Sequence, residues 1–270
     1  VNFRLTIEFD GSGYAGWQFQ PGRPTVQGEL EAAVGRVVGR ETVVYGCGRT
    51  DAGVSARGYV ANFHAQEQDR ILCRFGSCPA AAERLRRAIN HHLPRDIHVL
   101  SAEPVPESFH ARHDALGKTY VYNVVRRLSP LRRGRAWELK RPVSAARARR
   151  SARFFLGTRD FRAFCHASDV NGECEVRRFD VTECGDELVF TIEGDRFLYK
   201  MVRRMVGAIV TYGQGGVSLR DLRAALAGRP HKPFRTAPAA GLVLDSVTYC
   251  PDSEIDDHEG RKVRAQGEKP

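Results

Sequence analysis

The chain has 270 residues, 42% of them apolar, which is enough to build a core in each of two modest domains. Its formal net charge of +10 points to a polyanionic partner, whether RNA, DNA or an acidic membrane surface. The longest apolar runs are only a few residues, so no segment can span a bilayer as a helix.

Phe3 to Asp10 alternates like a strand, with Phe3, Leu5, Ile7 and Phe9 on one face, and runs into Asp10-Gly11-Ser12-Gly13-Tyr14-Ala15-Gly16-Trp17-Gln18-Phe19-Gln20. Aromatic residues among glycines read in two ways: a packed loop in which Trp17 covers the core, or a stacking surface for RNA beside an active site. Thr25 then caps a helix whose buried stripe is Val26, Leu30, Ala33, Val34 and Val37.

A strand-like run from Thr42 to Tyr45 enters a glycine-rich loop, and an alternating run from Tyr59 to Ala65 leaves it. The loop displays Arg49, Thr50 and Asp51 among Gly46, Gly48, Gly53 and Gly58, residues that permit close backbone approach to another molecule. The spacing G-x-G-x-x-x-x-G fits neither a dinucleotide loop nor a P-loop. Taken alone, Arg49-Thr50-Asp51 is either a turn in which Asp51 caps the backbone and pairs with Arg49, or a displayed catalytic group.

Ser77 and Pro79 open a second helix with Leu85, Ile89 and Leu93 buried and Arg84, Arg86 and Arg87 on a solvated face; Pro94 ends it. A strand over Ile97 to Ala102 completes a β-α-β-β-α-β order. Lys118 to Val124 is strongly β-prone, with Tyr120, Tyr122 and Val124 on one face. These tyrosines are either ordinary sheet aromatics or place one hydroxyl in an active site.

The second half repeats the coarse order: a basic helix from Ser144 to Leu156, strands over Cys174 to Glu183 and Glu187 to Glu193, and a helix from near Arg196. On that helix Leu198, Met201, Val202, Met205 and Ile209 form the apolar face, while Lys200, Arg203, Arg204 and Gly207 share another side. Gly207, one turn from Arg203, lets something approach closely, either another backbone or the glycine-rich loop. Ser218 caps a short helix through Ala227, with Asp221 closing a capping box. Thr236 to Leu244 leads into a last strand, and the charged stretch from Pro251 onward is expected to be a flexible tail. Seven scattered cysteines without a C-x-x-C pair suggest neither a disulfide framework nor a zinc ribbon, and the adjacent pairs His91-His92 and Cys165-His166 diverge on regular elements.

Five separated motifs resemble the TruA family of tRNA pseudouridine synthases across residues 3 to 249. They are Asp10-Gly11 to Gln20, Gly48-Arg49-Thr50-Asp51-Ala52-Gly53-Val54, Phe109-His110-Ala111-Arg112, Phe197 to Gly207, and Ala237-Pro238-Ala239-Ala240-Gly241-Leu242-Val243-Leu244. The resemblance implies an α+β fold of two similar units whose antiparallel sheets join side by side, with helices on one face and a basic active-site cleft between them. The units are placed at 1–109 and 110–250, followed by the tail at 251–270. It implies Asp51 as the catalytic aspartate and Arg203 as its partner. Tyr120 would contact the target base, Leu242 would pack on it, and Arg49 would occupy the space left by the extruded base or hold its phosphate. The family usually continues with histidine where this chain has Ser55, a local departure. The implied partner is tRNA, modified at positions 38, 39 and 40 of the anticodon stem-loop by a cytoplasmic homodimer.

Pseudouridine formation is redox-neutral, so no cofactor or metal is expected. A carboxylate beside C1′ can stabilise oxocarbenium-like charge, attack it, or remove the 2′ proton, and the sequence leaves these three open. A non-catalytic RNA chaperone would share the positive charge but does not require Asp51, Tyr120 and Arg203 together. An RNA glycosidase or nuclease would call for a second acid or metal ligands that the sequence does not supply.

Overall fold

The computed structural model describes residues 1–66, 68–69, 79–165 and 171–250. The tail from Pro251, Ser77 of the second helix and His166 lie outside them. Among the described residues no helix is long and apolar enough to cross a membrane.

The first half contains β1 (Asn2–Phe9), α1 (Val26–Val38), β2 (Tyr45–Gly46), β3 (Ser55–His64), α2 (Pro79–His92) and β4 (Ile97–Val105). The predicted alternation of β1 is realised: Phe3, Leu5 and Ile7 are fully buried opposite Phe63, Ala61 and Tyr59 of β3. Thr25 caps α1 by accepting from the Gly28 N–H, and Gly39 ends it in the left-handed conformation that a side chain disfavours. On α2, Arg86 and Arg87 pair with Glu83, as befits a solvated face. The strand expected over Thr42 to Tyr45 shrinks to the two residues of β2, which pair with Asn62 and Ala61. Val44 instead directs its N–H to the Glu31 carboxylate of α1.

The second half contains β5 (Gly117–Val125), β6 (Trp137–Glu138), α3 (Ala145–Ala152), β7 (Gly157–Asp160), β8 (Glu173–Cys184), β9 (Glu187–Gly194), α4 (Met201–Gly213), α5 (Leu219–Leu226) and β10 (Leu242–Thr248). The helix expected from near Arg196 begins only at Met201, because Lys200 adopts a left-handed conformation at φ 60° and breaks the helical path before it. Ser144 caps α3, which tightens into a 3-10 turn at Arg153–Phe155, and Ser218 and Asp221 form the reciprocal capping box of α5.

All ten strands belong to one sheet, ordered β4-β1-β3-β10-β5-β9-β8-β7, with β2 on β3 and β6 on β5. Neighbours are antiparallel except for the β3–β10 and β5–β6 pairs. The last strand in sequence therefore lies in the middle, joining β3 to β5. Buried side chains gather in two clusters. One unites β1 and β3 with α1 and α2, and the other unites β5, β8 and β9 with α3, α4 and α5. Tyr120 packs against both.

Candidate active site

The glycine-rich loop between β2 and β3 is tied down from below. The Tyr59 hydroxyl donates to the Gly48 carbonyl at 2.5 Å, and the Cys47 N–H donates to Val60 O at 2.8 Å. Trp17 stacks on the Tyr59 ring with centroids 4.0 Å apart. Both rings press on Gly46, where a Cβ would collide with them. Tyr59 is fully buried, so its hydroxyl needs this partner. It is a site-supporting residue that sequence reading missed, since an alternating strand gives no sign that one of its tyrosines reaches a loop carbonyl.

From the side, the loop rests against the turn that follows β1. Gly16 sits at φ 104°, a conformation side chains disfavour, and a Cβ there would also strike the Thr50 carbonyl. Trp17 N–H donates to Thr50 O at 3.3 Å, and Gly53 N–H donates to Tyr14 O at 3.4 Å. Ser55 Oγ accepts from Gly11 N–H at 3.0 Å, which gives this residue a structural contact. Trp17 is buried, as the packed-loop reading has it, while Phe19 of the same segment is exposed.

Held in this way, Asp51 pairs with Arg203 in the first turn of α4, not with Arg49. Arg203 Nη1 donates to Asp51 Oδ2 at 2.5 Å, and the two side chains are 14% and 16% exposed. Asp51 Oδ1 has no hydrogen-bond partner among the described residues. Arg203 is itself fixed by the segment that leads into β10. Its Nε donates to Ala237 O at 2.8 Å, while its carbonyl accepts from Ala237 N–H at 3.0 Å. That segment fits because Gly207 lacks a side chain: a Cβ there would run into the Arg235 carbonyl oxygen. Of the two partners considered for Gly207, the neighbouring backbone is the one present. Tyr122 secures the same segment from the sheet by donating to Pro238 O at 2.8 Å.

Tyr120 lies between the two clusters, with its ring edge-on to Phe197 at 5.2 Å. Burial raises the Tyr120 hydroxyl well above the ordinary phenol range, and the nearby Cys47 and Asp51 push it the same way. The group is therefore a neutral hydroxyl at physiological pH. Leu242 opens β10 opposite Tyr122 and is buried in the second cluster. Arg49 is exposed on the loop, and its side chain has no polar partner among the described residues. The fold thus brings Asp51, Arg203 and Tyr120 together. Leu242 and Arg49 flank them, Leu242 just after the Ala239–Gly241 turn that approaches Gly53 and Arg49 two residues before Asp51.

The site thus offers a neutral phenol, a carboxylate with one free oxygen and a guanidinium fixed at two points, groups held in place before any ligand arrives. The sequence profile of a family described as tRNA pseudouridine synthase matches residues 5–114 and 152–250. A tRNA pseudouridine synthase A from Methylacidiphilum infernorum is 38% identical over 262 residues, covering 94% of this chain and 98% of its own length. One from Rhodopseudomonas palustris strain BisB5 is 39% identical over 255 residues, covering 92% and 99%. One from Moorella thermoacetica is 39% identical over 253 residues, covering 91% and 98%.

Proposed function

The chain belongs to the tRNA pseudouridine synthase family and isomerises uridine to pseudouridine in tRNA; from that premise we propose that Asp51 is its catalytic group and that it acts at positions 38, 39 and 40 of the anticodon stem-loop. The observation that carries the assignment is the Asp51–Arg203 pair, which leaves one carboxylate oxygen occupied and the other free.

The reaction breaks C1′–N1, forms C1′–C5, removes the C5 proton and leaves a proton on N1. No electrons are gained or lost, so neither cofactor nor metal is needed. Asp51 Oδ1 faces the ribose, where either attack on C1′ or removal of the 2′ proton begins the exchange. Arg203 holds the other oxygen and fixes the carboxylate plane. Uracil leaves as a delocalised anion and turns against the Tyr120 ring, whose neutral hydroxyl relays the C5 proton. Leu242 packs on the base, and Arg49 fills the space it vacates in the stem.

We place the RNA in a cleft between two similar units, 1–109 and 110–250, with helices on one face of their joined sheets. The two buried clusters that meet at Tyr120 support this division. The working form is a cytoplasmic homodimer.

Release of tritium from tRNA labelled at uridine C5 tests the activity. Release with RNA length unchanged and no free uracil is expected. Strand cleavage or free base in place of isomerisation defeats the reading.

A further inference from the structure

We propose that Tyr59 and Tyr122 are paired positioning residues, whose hydroxyls, each bonded to one backbone carbonyl, together set the spacing of Asp51 and Arg203. The proposal rests on the catalytic reading of that ion pair. The two tyrosines stand on β3 and β5, the strands on either side of β10, and both are fully buried. The Tyr59 hydroxyl donates to Gly48 O at 2.5 Å, three residues before Asp51. The Tyr122 hydroxyl donates to Pro238 O at 2.8 Å, next to the Ala237 peptide that grips Arg203 at both its Nε and its carbonyl. Each partner of the ion pair therefore hangs from the central sheet by one phenol.

The chain makes room for both contacts. A Cβ on Gly46 would collide with the Tyr59 hydroxyl, and one on Gly241 would fall 2.8 Å from the Tyr122 ring. Glycines just before Gly48 and just after Pro238 thus receive the two phenols. Trp17 stacks on Tyr59, and Trp137 meets Tyr122 edge-on at 6.4 Å, so each ring is packed in its plane. Burial raises the Tyr122 hydroxyl and the charge of Arg203 opposes that rise, so this phenol stands near the guanidinium whose support it holds. Neither hydroxyl bonds to Asp51 or Arg203 itself, and both act through backbone.

A 2.5 Å contact between a carboxylate and a guanidinium closes only when both are at the right height above the sheet, so slack in either segment opens it. The consequence is a coupling between distant sites. Tyr59 and Tyr122 belong to different buried clusters and, two strands apart, are separated by at least about 10 Å. Contributions of such separated sites to stability add. Their contributions to the rate do not, because one slack segment already misaligns the pair and the second loss changes little.

The test compares wild type, Tyr59→Phe, Tyr122→Phe, the double variant and Tyr249→Phe on an unmodified tRNA transcript. It reads affinity, single-turnover tritium release at saturating enzyme, melting temperature and amide hydrogen exchange. Tyr249 is the control, since it too donates to a backbone carbonyl, that of Ala111, outside the segments that hold Asp51 and Arg203. Phenylalanine keeps the ring and its packing. Each of Tyr59→Phe and Tyr122→Phe is expected to fold, to bind tRNA within about threefold of wild type and to release tritium about tenfold more slowly, less than the roughly 10²-fold that a misplacement of about 1 Å can cost. The double variant should be slowed about as much as the slower single variant, while its drop in melting temperature equals the sum of the two. Exchange should quicken in the 46–54 loop of Tyr59→Phe and in the 235–241 segment of Tyr122→Phe. Tyr249→Phe should lose stability and keep its rate. Full rates in both folded single variants, rate losses that multiply in the double variant, unchanged exchange in both segments, or an equal slowing of Tyr249→Phe would each overturn the proposal. A single variant that cannot fold would make the hydroxyl a condition of the fold, with the same result. Wild-type protein that binds the transcript but releases no tritium would defeat the activity reading instead, and the two tethers would still be judged on exchange.

Discussion

Asp51 Oδ2 and Arg203 Nη1 meet at 2.5 Å although 152 residues separate them in sequence. Each partner is immobilised independently, Asp51 by a loop anchored through Gly48 and Gly16, and Arg203 by its paired contacts with Ala237. The pair is therefore a product of the whole fold: β10 brings the 235–241 segment to α4 while also joining β3 to β5. Lysine could not replace Arg203 here, since a single ammonium cannot reach both the carboxylate and the Ala237 carbonyl in the geometry of a guanidinium.

Asp51→Asn keeps the shape of the side chain and removes its charge. An amide neither attacks C1′ effectively nor takes a proton there, so turnover should fall by at least ~10³-fold. Affinity for tRNA should be unchanged or slightly tighter, because a negative charge near RNA is lost. Melting temperature, affinity and single-turnover tritium release measured on one preparation check this. A folded variant that keeps more than about a tenth of the wild-type rate, a loss of less than ~1.4 kcal/mol, removes Asp51 from the mechanism.

Gly207→Ala tests the brace behind Arg203. The added methyl group cannot share space with the Arg235 carbonyl, and the nearest remedy is movement of the 235–237 backbone that holds Arg203. Overpacking of this kind costs roughly 1 to 3 kcal/mol, and a shift of about 1 Å at a catalytic group can cost 10²-fold in rate. Activity should therefore fall at temperatures where circular dichroism shows the variant fully folded. A loss of stability with full activity in the folded fraction would show that Arg203 does not depend on this segment.

Much of this was legible in the residues because it depends on local periodicity and on chemically distinctive side chains. The alternation of Phe3, Leu5 and Ile7, the caps at Thr25 and Ser218, and the glycines around Asp51 all express short-range rules. The parts that were not legible depend on distant backbone. Lys200 enters a left-handed conformation that no neighbouring residue type announces, so the apolar periodicity alone puts the start of α4 several residues early. Tyr59 and Ala237 support the site through main-chain carbonyls, which carry no side-chain signature. The β3–β10 junction rests on two residue pairs, too short a run for a sequence pattern.

Removing the Tyr120 ring should differ from removing its hydroxyl. Tyr120→Phe keeps the face available to the base, so tRNA affinity should stay near normal while product forms slowly. Tyr120→Leu should also weaken capture of the extruded base. Equal, near-wild-type turnover of both variants in tritium release would exclude Tyr120 from the reaction.

The tyrosines also set an alkaline limit to stability. Burial is the leading cause that raises the hydroxyls of Tyr14, Tyr59, Tyr120, Tyr122 and Tyr249 above their ordinary value of 10.0, and for Tyr14 a 2.6 Å hydrogen bond to Asp96 adds to it. The folded protein retains these protons at a pH where the unfolded chain releases them. Their contribution is therefore fully present below pH 10 and is lost as pH rises toward the folded-state values. The loss is about 1.4 kcal/mol per withheld tyrosine for each pH unit in that window. In a titration followed together by phenolate absorbance and far-ultraviolet circular dichroism, the signal of these five tyrosines should appear only as the helical signal disappears. Tyr120→Phe should make the stability decline less steep by one titrating group. Reversible ionisation of all eight tyrosines with secondary structure intact would show that these five hydroxyls are not withheld from solvent by the fold.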